Sequence, residues 1–505
     1  MFVFCRLLPL IPITGGGAGI QQHYFKQLKI YHHLKMKTYN IYLLFTAFLI
    51  LTGCKVSKDI ETPQPELPQA YRNATASTDT TSVASIEWKQ FFPDANLQEL
   101  IGKAVTNNYD MQTAIKNIES AQLQLRQTKW NNVPQLSLGV TANTSIPSQN
   151  SLNGISLANF LNTSHIEDYN AGGSLSWEAD IWGKLRGRKK EALALYLKTE
   201  EARKLVQTNI VASVAQGYYN LLMLDAQLAI AKKNLELSEN TVRIVKMQFG
   251  SGQVTTLAVQ QTEAQRLRAA QIVPQLEKEV TIQENALSIL TGALPAEIVR
   301  NTTLDLTPLH TQLSAGVPSS IVSQRPDVKG TEYELAAANA RVGGTKASMY
   351  PALNITAQGG VNSFKSDNWF NMPASLFGMV AGSLTQPLLQ RRQLRTQYEV
   401  AKVEREKAVI AFRQSVLIAV GEVSDALVRV EKLKQEQEFA AERVANLQKA
   451  TTNADMLFKS GMANYLEVIT AQSNVLQSEL DLAALKRDQL NAVAQLYRSL
   501  GGGWR

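Results

Sequence analysis

Two stretches of the chain show the same pattern of apolar and polar residues. In each, an acidic residue opens a helix-like run of about 23 residues, a proline ends the run, and apolar and polar residues then alternate. The acidic residues are Asp110 and Asp327, and the prolines are Pro134 and Pro351. An acidic first turn, a proline stop and period-two alternation predict a helix followed by a strand. The second stretch superimposes on the first at a shift of 217 residues.

The similarity continues downstream, which predicts an internal duplication. Gly421 aligns with Ala215 at a shift of 206, and Leu500 aligns with Leu290 at a shift of 210. A unit of about 210 residues therefore occurs twice in the chain. The predicted parts are repeat one at 87–302, a linker at 303–324 and repeat two at 325–505.

Each copy carries a hairpin of two predicted strands. The apolar faces of the first two strands are Leu136, Leu138, Val140 and Ala142, then Leu175, Trp177, Ala179 and Ile181. Strand three begins near Leu353, whereas strand four, about 377–386, alternates poorly and is predicted by analogy with strand two. Strands of about ten residues have the length that crosses a membrane. The alternative to membrane-spanning strands is a soluble sheet with one face exposed to water.

Long helices flank each hairpin. A helix over about 188–249 would be about 90 Å long. The heptad positions of a coiled-coil seam are Val409, Val416, Val423 and Val430, with Phe412, Ala419, Ala426 and Leu433 as the partner set. Such helices must pack side by side. Four strands cannot close a barrel, and lipid does not tolerate the unpaired backbone groups of an open sheet edge. Several copies are therefore expected to contribute their strands to one barrel.

A secretion signal precedes this body. Residues 36–53 carry Lys37 and an apolar run that is too short to span a bilayer, and the run ends in Leu-Thr-Gly before Cys54. This ending resembles the bacterial lipobox, which predicts that Cys54 is acylated and becomes the first residue; an ordinary signal with an incidental cysteine is the alternative. Residues 1–35 are expected to be an upstream extension from a wrong start, and 54–86 a polar tether.

Charge and residue types exclude several classes of function. The chain has a net charge of +8, but residues 1–54 contribute +5 of it, so no basic nucleic-acid footprint remains. The only cysteines are Cys5 and Cys54, which excludes a disulfide framework once the leader is removed. His165 and His310 have no partner at metal or triad spacing. We therefore expect no enzyme, cofactor or metal site.

Several short motifs carry a resemblance that covers about residues 88–502. They are Leu51 to Cys54, the Trp88/Phe91/Phe92/Asp94 cluster, Trp177 to Gly183, Gln324 to Val328, Tyr350-Pro351 and Gly461 to Leu466. In this order they resemble the TolC-like outer membrane efflux protein family, most closely the OprM/NodT-type lipoproteins. The resemblance implies a mainly α-helical chain with a membrane β-barrel: a homotrimer with a 12-stranded barrel, four strands per protomer, and a long α-helical coiled-coil tunnel.

The resemblance also implies a function and partners. Such a protein would be the exit duct of a tripartite pump in the outer membrane of a Gram-negative bacterium, lipid-anchored and extending into the periplasm. Its partners would be outer membrane lipid, a periplasmic membrane-fusion adaptor and an inner membrane transporter of the resistance-nodulation-division type. A channel for type I protein secretion and a lipid-anchored periplasmic coiled-coil adaptor are the alternatives.

Candidate site residues follow from the same likeness. The periplasmic gate would include Leu466 as an apolar constriction, while Thr470 stands where the family has an aspartate. Glu467 is the nearest carboxylate and could form a cation-attracting ring instead, or could be a solvated helix residue. Gly252 and Gly461 are expected at helix reversals, as the tips that the adaptor contacts. Arg325, Pro326 and Asp327 are interpreted as a structural helix start.

Overall fold

The computed structural model of the 505-residue chain describes residue 71, residues 83–308, residue 318 and residues 324–505. The signal peptide, Cys54, nearly all of the tether, most of the linker and His310 lie outside the described residues. Repeat one contains α1 (Trp88–Phe91), α2 (Ala95–Asn107), α3 (Tyr109–Trp130), β1 (Gln135–Ser145), α4 (Leu152–Ser156), β2 (Ile166–Ala179), α5 (Lys184–Gly250) and α6 (Thr256–Leu290). Repeat two contains α7 (Pro326–Ala347), β3 (Ala352–Ser363), β4 (Leu376–Thr385), α8 (Gln393–Lys459) and α9 (Tyr465–Ser499).

Matching helix lengths confirm the predicted duplication. Helices α3 and α7 each have 22 residues, α5 and α8 each have 67, and α6 and α9 each have 35. Asn108 caps α3, because its side chain accepts hydrogen bonds from the backbone N–H groups of Asp110 and Met111. A helix of 67 residues is about 100 Å long.

The structure corrects two of the alignment shifts. The long helices start and end 209 residues apart and are uninterrupted, so the match of Gly421 to Ala215 at 206 is wrong, since nothing is inserted between the two helix ends. The match of Leu500 to Leu290 at 210 is also wrong. Gly292 and Gly501, which are 209 apart, both take positive φ values, +72° and +92°, just after α6 and α9 end. These glycines fix the true register because few other residues adopt that conformation.

The four strands form one antiparallel sheet in the order β1-β2-β3-β4. Strand β4 covers nearly the range predicted by analogy, but β2 has 14 residues and ends at Ala179. Ile181, expected within the strand, is instead in the turn that leads into α5, where its N–H donates to the carbonyl of Ala179 at 2.9 Å. Within the described residues β1 and β4 each pair on one side only, so both edges of the sheet are open.

The two faces of the sheet differ in polarity. Residues opposite one another in the register share a face, and the rows that include Leu136 and Val140 are apolar across all four strands, while Leu138 between them faces glycines. The alternate rows are rich in Ser, Thr, Asn and Gln. The apolar face is uncovered in the single chain: Leu138 is 83% exposed and Val380 is 79% exposed. An exposed apolar face of this extent marks a surface that meets lipid or another protein.

Two apolar cores hold the helices together. In the first, Tyr218 and Leu222 of α5 pack with Phe91, whose ring stacks on that of Tyr497 of α9 at 4.0 Å. The second core lies between α7, α8 and the end of α9, and it includes the centre of the predicted heptad seam: Phe412, Val416, Ala419, Val423 and Ala426. Val409 and Val430, nearer the ends of that seam, are only partly buried. Helix α5 packs against α3, α6, α7 and α9, so the repeats interlock.

Candidate functional site

The reversals between the long helices lie at the two candidate tip glycines. Gly252 and Gly461 both have φ of +75°, and a Cβ added at either would meet nothing within 4 Å. The backbone bonds repeat as well: the N–H of Gly252 donates to the carbonyl of Phe249 at 3.0 Å, and that of Gly461 to Phe458 at 3.1 Å. Glycine is therefore required here by the left-handed backbone and not by lack of space.

The three gate candidates share one exposed surface at the start of α9. Asn464 caps the helix, because its Oδ1 accepts from the N–H groups of Leu466 (2.9 Å) and Glu467 (3.2 Å). Leu466, Glu467 and Thr470 are exposed in the single chain, whereas Val468 between them is fully buried. Their spacing places an apolar, an acidic and a hydroxyl side chain together near the helix tip.

A small core joins the two tips, and motif reasoning did not identify it as a site. Phe458 of α8 is 3% exposed and packs with Val245, Ala258 and Val468. Beside this cluster the hydroxyl of Tyr465 donates to Gln261 Oε1 at 2.6 Å. The counterpart of Phe458 in repeat one, Phe249, is 46% exposed. The phenylalanine pair is visible in the sequence, but only the tertiary structure shows which member is covered.

The residues 325–327 do more than start a helix. Pro326 is the first residue of α7 and Asp327 is in its first turn, as interpreted from the sequence. Arg325, however, has a 5% exposed side chain that reaches Asp327 Oδ2 at 2.6 Å, Glu422 Oε2 at 2.8 Å and the carbonyl of Ser499 at 2.9 Å. The interpretation that capping explains all three residues is therefore wrong for Arg325, which ties α7, α8 and α9 together.

This ion cluster is linked to the segment before the body. Burial disfavours ionisation of Asp327, but hydrogen bonds and charge from Arg325 outweigh it, so the pKa of this carboxyl lies below its ordinary value of 3.8. Tyr71 is 3% exposed and packs in the same core between α7 and α8, near Arg325. Burial raises the pKa of its hydroxyl well above 10.

Searches for two other kinds of site were negative within the described ranges. No group of three or more His, Cys, Asp or Glu side chains there could hold a metal ion. None of the helices described is both long and apolar enough to cross a bilayer.

Comparisons with known proteins identify similar sequences and structures. The family "Outer membrane efflux protein" matches residues 100–293 and 317–502. The chain is 28% identical over 475 residues to the cation efflux system protein CusC of Escherichia coli, covering 92% of this chain and 98% of CusC. It is 28% identical over 483 residues to a Salmonella typhimurium protein named "Probable outer membrane lipoprotein SilC", covering 93% of this chain and 99% of that one. A crystal structure of CusC, described in terms of transmembrane channel formation, superimposes with a TM-score of 0.79 at 26% identity, covering 89% of this chain and all of that one.

Proposed function

Because the chain belongs to the outer membrane efflux protein family, we propose that it is the outer membrane exit duct of a tripartite efflux pump. It would conduct drugs or other small toxic molecules passively from the periplasm to the exterior, with energy supplied by an inner membrane transporter of the resistance-nodulation-division type. The observation that carries the proposal is a sheet with one apolar face, one polar face and two open edges, mounted on helices about 100 Å long.

The open edges favour a trimer. Strands β1 and β4 run antiparallel to one another, because successive strands alternate direction in the order of the sheet. The β4 edge of one copy can therefore pair with the β1 edge of the next in the antiparallel sense. Three copies would close a barrel of 12 strands, with the apolar rows toward lipid and the polar rows toward the lumen. Closure also removes the unpaired backbone groups that lipid does not tolerate.

The helical repeats support the same assembly. Helix α5 packs against α7 and α9 of the other repeat, whereas its counterpart α8 packs mainly against α7 and α9 of its own repeat. By the internal symmetry, the free side of α8 should meet α3 and α6 of the next copy. Exposure agrees with this: Leu417 of α8 is 69% exposed, and Leu267 of α6 is 55% exposed although its counterpart Leu476 is 7% exposed. Copies so joined would form a closed ring of helices around a tunnel.

The tips are proposed to contact the adaptor. Met247 and Met456 occupy equivalent positions and are 63% and 56% exposed, and the equivalent Leu257 and Leu466 are 57% and 47% exposed. Both reversals therefore present the same apolar side chains, and a trimer would present six such tips. Methionine-rich surfaces of this kind adapt to a partner helix.

The periplasmic gate is proposed to lie at the start of α9. Glu467 occupies the position of Ala258, which in repeat one is buried beneath Phe458. At the seam between copies, Glu467 would accordingly lie near Phe249 of the neighbouring copy, with Leu466 as the apolar constriction and Thr470 one turn further on. Three carboxylates at one level would favour cations. A Glu467→Gln trimer should therefore lose part of its cation selectivity in planar bilayers, whereas Glu438→Gln, an exposed carboxylate of α8, should not.

The N-terminal part is proposed to anchor the duct. Residues 36–53 would be removed as a signal, Cys54 would carry the lipid, and 54–86 would tether it to repeat one at 87–302. The linker at 303–324 and repeat two at 325–505 complete the proposed division. One lipid chain contributes reversible membrane affinity, so it would guide insertion and not replace the barrel.

Gel migration tests the proposal most directly. Outer membranes containing the mature protein are solubilised in cold detergent, and samples are run unheated and boiled. A barrel trimer should migrate as a large species that boiling converts to the single chain, and the gene should restore drug resistance only with its adaptor and transporter present. A water-soluble monomer without β signal in circular dichroism would refute the duct and favour an adaptor.

A further inference from the structure

A band of basic residues lies where the strands meet the long helices. It comprises 126–134, 178–192, 341–351 and 386–397, which are the ends of α3 and α7 and the beginnings of α5 and α8 with their connections to the sheet. The band holds 12 Lys and Arg against three Asp and Glu, a net charge of +9. Residues 55–505 together carry only +3, so the rest of that region is acidic.

The opposite end of the sheet lacks this charge. The connections there, 146–168 and 364–375, hold one Lys against three Asp and Glu, a net charge of −2. The positive charge is therefore concentrated at the end of the sheet that faces the helices. Under the proposed function, that end is the periplasmic one.

Aromatic residues mark the same level. Trp130, at the end of α3, is 67% exposed. The Trp177 ring N–H donates to the carbonyl of Asn132 at 3.0 Å, and that of Trp182 donates to the carbonyl of Pro351 at 2.7 Å. Tryptophan collects at the boundary between hydrocarbon and water. The basic band adjoins this boundary, at the depth of the lipid headgroups.

Much of the positive charge has no partner within the chain as described. The three carboxylates are all engaged, since Glu178 pairs with Lys184, Asp180 with Arg186, and Glu191 with Arg341. Seven side chains of the band are exposed and form no ion pair within the described residues: Arg126, Lys129, Arg188, Lys189, Arg391, Arg392 and Arg395. A concentration of unpaired cations at one membrane boundary indicates an anionic partner there.

The α8 end of the band is unusual in its backbone. Arg391 and Arg392 have φ of +47° and +62°. The position equivalent to Arg392 in repeat one is Gly183, with φ of +80°. Repeat two therefore places arginine side chains where the backbone conformation favours glycine. They follow Leu388 and Leu389, which are 83% and 97% exposed.

We propose that this band binds the phosphate groups of anionic phospholipids in the periplasmic leaflet of the outer membrane. The proposal rests on the proposed function for the orientation of the sheet. Guanidinium groups bind phosphate oxygens in a bidentate manner, and Trp182 and the exposed leucines would contact the adjoining glycerol and acyl chains. In a trimer the band would form a ring with a charge of +27 around the duct. This ring would hold the duct at a fixed depth in the membrane.

The test measures lipid preference with brominated lipids. Purified trimers in detergent are titrated with brominated phosphatidylglycerol or brominated phosphatidylcholine, and tryptophan quenching reports binding. We expect the wild type to prefer phosphatidylglycerol by about tenfold or more, since each nearby cation contributes about fivefold. The variant R391Q/R392Q/R395Q should lose most of this preference. The matched control R413Q/K434Q/K449Q removes three exposed, unpaired cations of the same helix away from the sheet and should retain it.

The titrations can refute lipid binding by the basic band. Equal binding of both lipids by wild-type trimers, or equal loss in the control variant, would overturn the proposal. If wild-type trimers bind inorganic phosphate but show no preference between the two lipids, the band is a site for free phosphate and the lipid assignment is wrong. R188Q/K189Q tests the repeat-one part independently, should the α8 variant fail to assemble. Failure of the wild type to form trimers would refute the duct itself, whereas functional trimers without lipid preference would refute only this inference.

Discussion

Replacing Arg325 by methionine should weaken the whole assembly, because this one side chain joins three helices. It reaches Asp327 in α7, Glu422 in α8 and the carbonyl of Ser499 in α9. Methionine keeps the apolar stem and removes every one of these bonds. Asp327 then loses its cation, and Glu422 keeps only the longer contact to Arg498, at 3.6 Å.

The partial exposure of the partners of Arg325 limits the loss of stability. Breaking a fully buried ion pair costs about 3–5 kcal/mol. The side chains of Asp327 and Glu422 are 31% and 33% exposed, so water would partly solvate them after the change. The carbonyl of Ser499, a fully buried residue, would lose a charge-assisted hydrogen bond. We therefore expect a loss of about 3 kcal/mol, which corresponds to a fall of several degrees in the dissociation midpoint.

The assay is heat-induced dissociation of the trimer in detergent, read on gels and by circular dichroism. Arg413→Met, at an exposed arginine of α8 with no ion pair in the described residues, is the control and should shift the midpoint little. The double variant Arg325→Met/Glu422→Gln should be less destabilised than the sum of its parts, since the second change removes a charge that the first left with only the longer contact to Arg498. A midpoint for Arg325→Met equal to that of the control would show that Arg325 does not hold the three helices together.

Acid should remove the stabilisation that ionised Asp327 contributes through its ion pair with Arg325. The pKa of Asp327 is lowered in the folded protein, so its ionised form contributes stability above the unfolded pKa, near 3.8, and this contribution is lost as pH falls through the lower folded pKa. Without Arg325, burial, which raises the pKa of Asp327, is opposed only by hydrogen bonds from the backbone N–H groups of Val328 and Asp327. The wild-type midpoint should therefore fall between pH 5 and pH 3 more steeply than that of Arg325→Met. Parallel curves would contradict the assignment.

Three further changes test other parts of the structure. Gly252→Ala should destabilise the tip by about 1 kcal/mol and weaken adaptor binding in pull-downs, because φ is +75° there, whereas Gly102→Ala, in open space within α2, should be neutral or stabilising. Leu138→Arg on the apolar sheet face should reduce barrel stability by about 2–4 kcal/mol in heat-modifiability assays, and Ser137→Arg on the polar face should not. Cys54→Ser should abolish labelling by radioactive palmitate; persistent labelling would exclude this acylation site.

The sequence-based predictions of the repeats and the long helices depended on strong local patterns. The acidic helix starts, the prolines and the heptads located the repeats and the long helices, because helix caps and hydrophobic periodicity act over a few neighbouring residues. The Asn108 cap is such a case. Local rules were weaker at β2, whose end at Ala179 depends on pairing with β3 across the sheet. They also fail at Pro274, which lies inside α6, where a proline would be expected to end a helix.

Contacts between distant segments had to come from the tertiary structure. Arg325 looked like part of a helix start until Glu422 and Ser499, 97 and 174 residues away, were placed beside it. Phe249 and Phe458 have equivalent positions, yet only Phe458 is covered within the chain. The sequence alone thus determined the elements, their order and their duplication, because these follow from neighbouring residues. Which side chains are buried, paired or left exposed was decided by packing between the repeats, which no local pattern encodes.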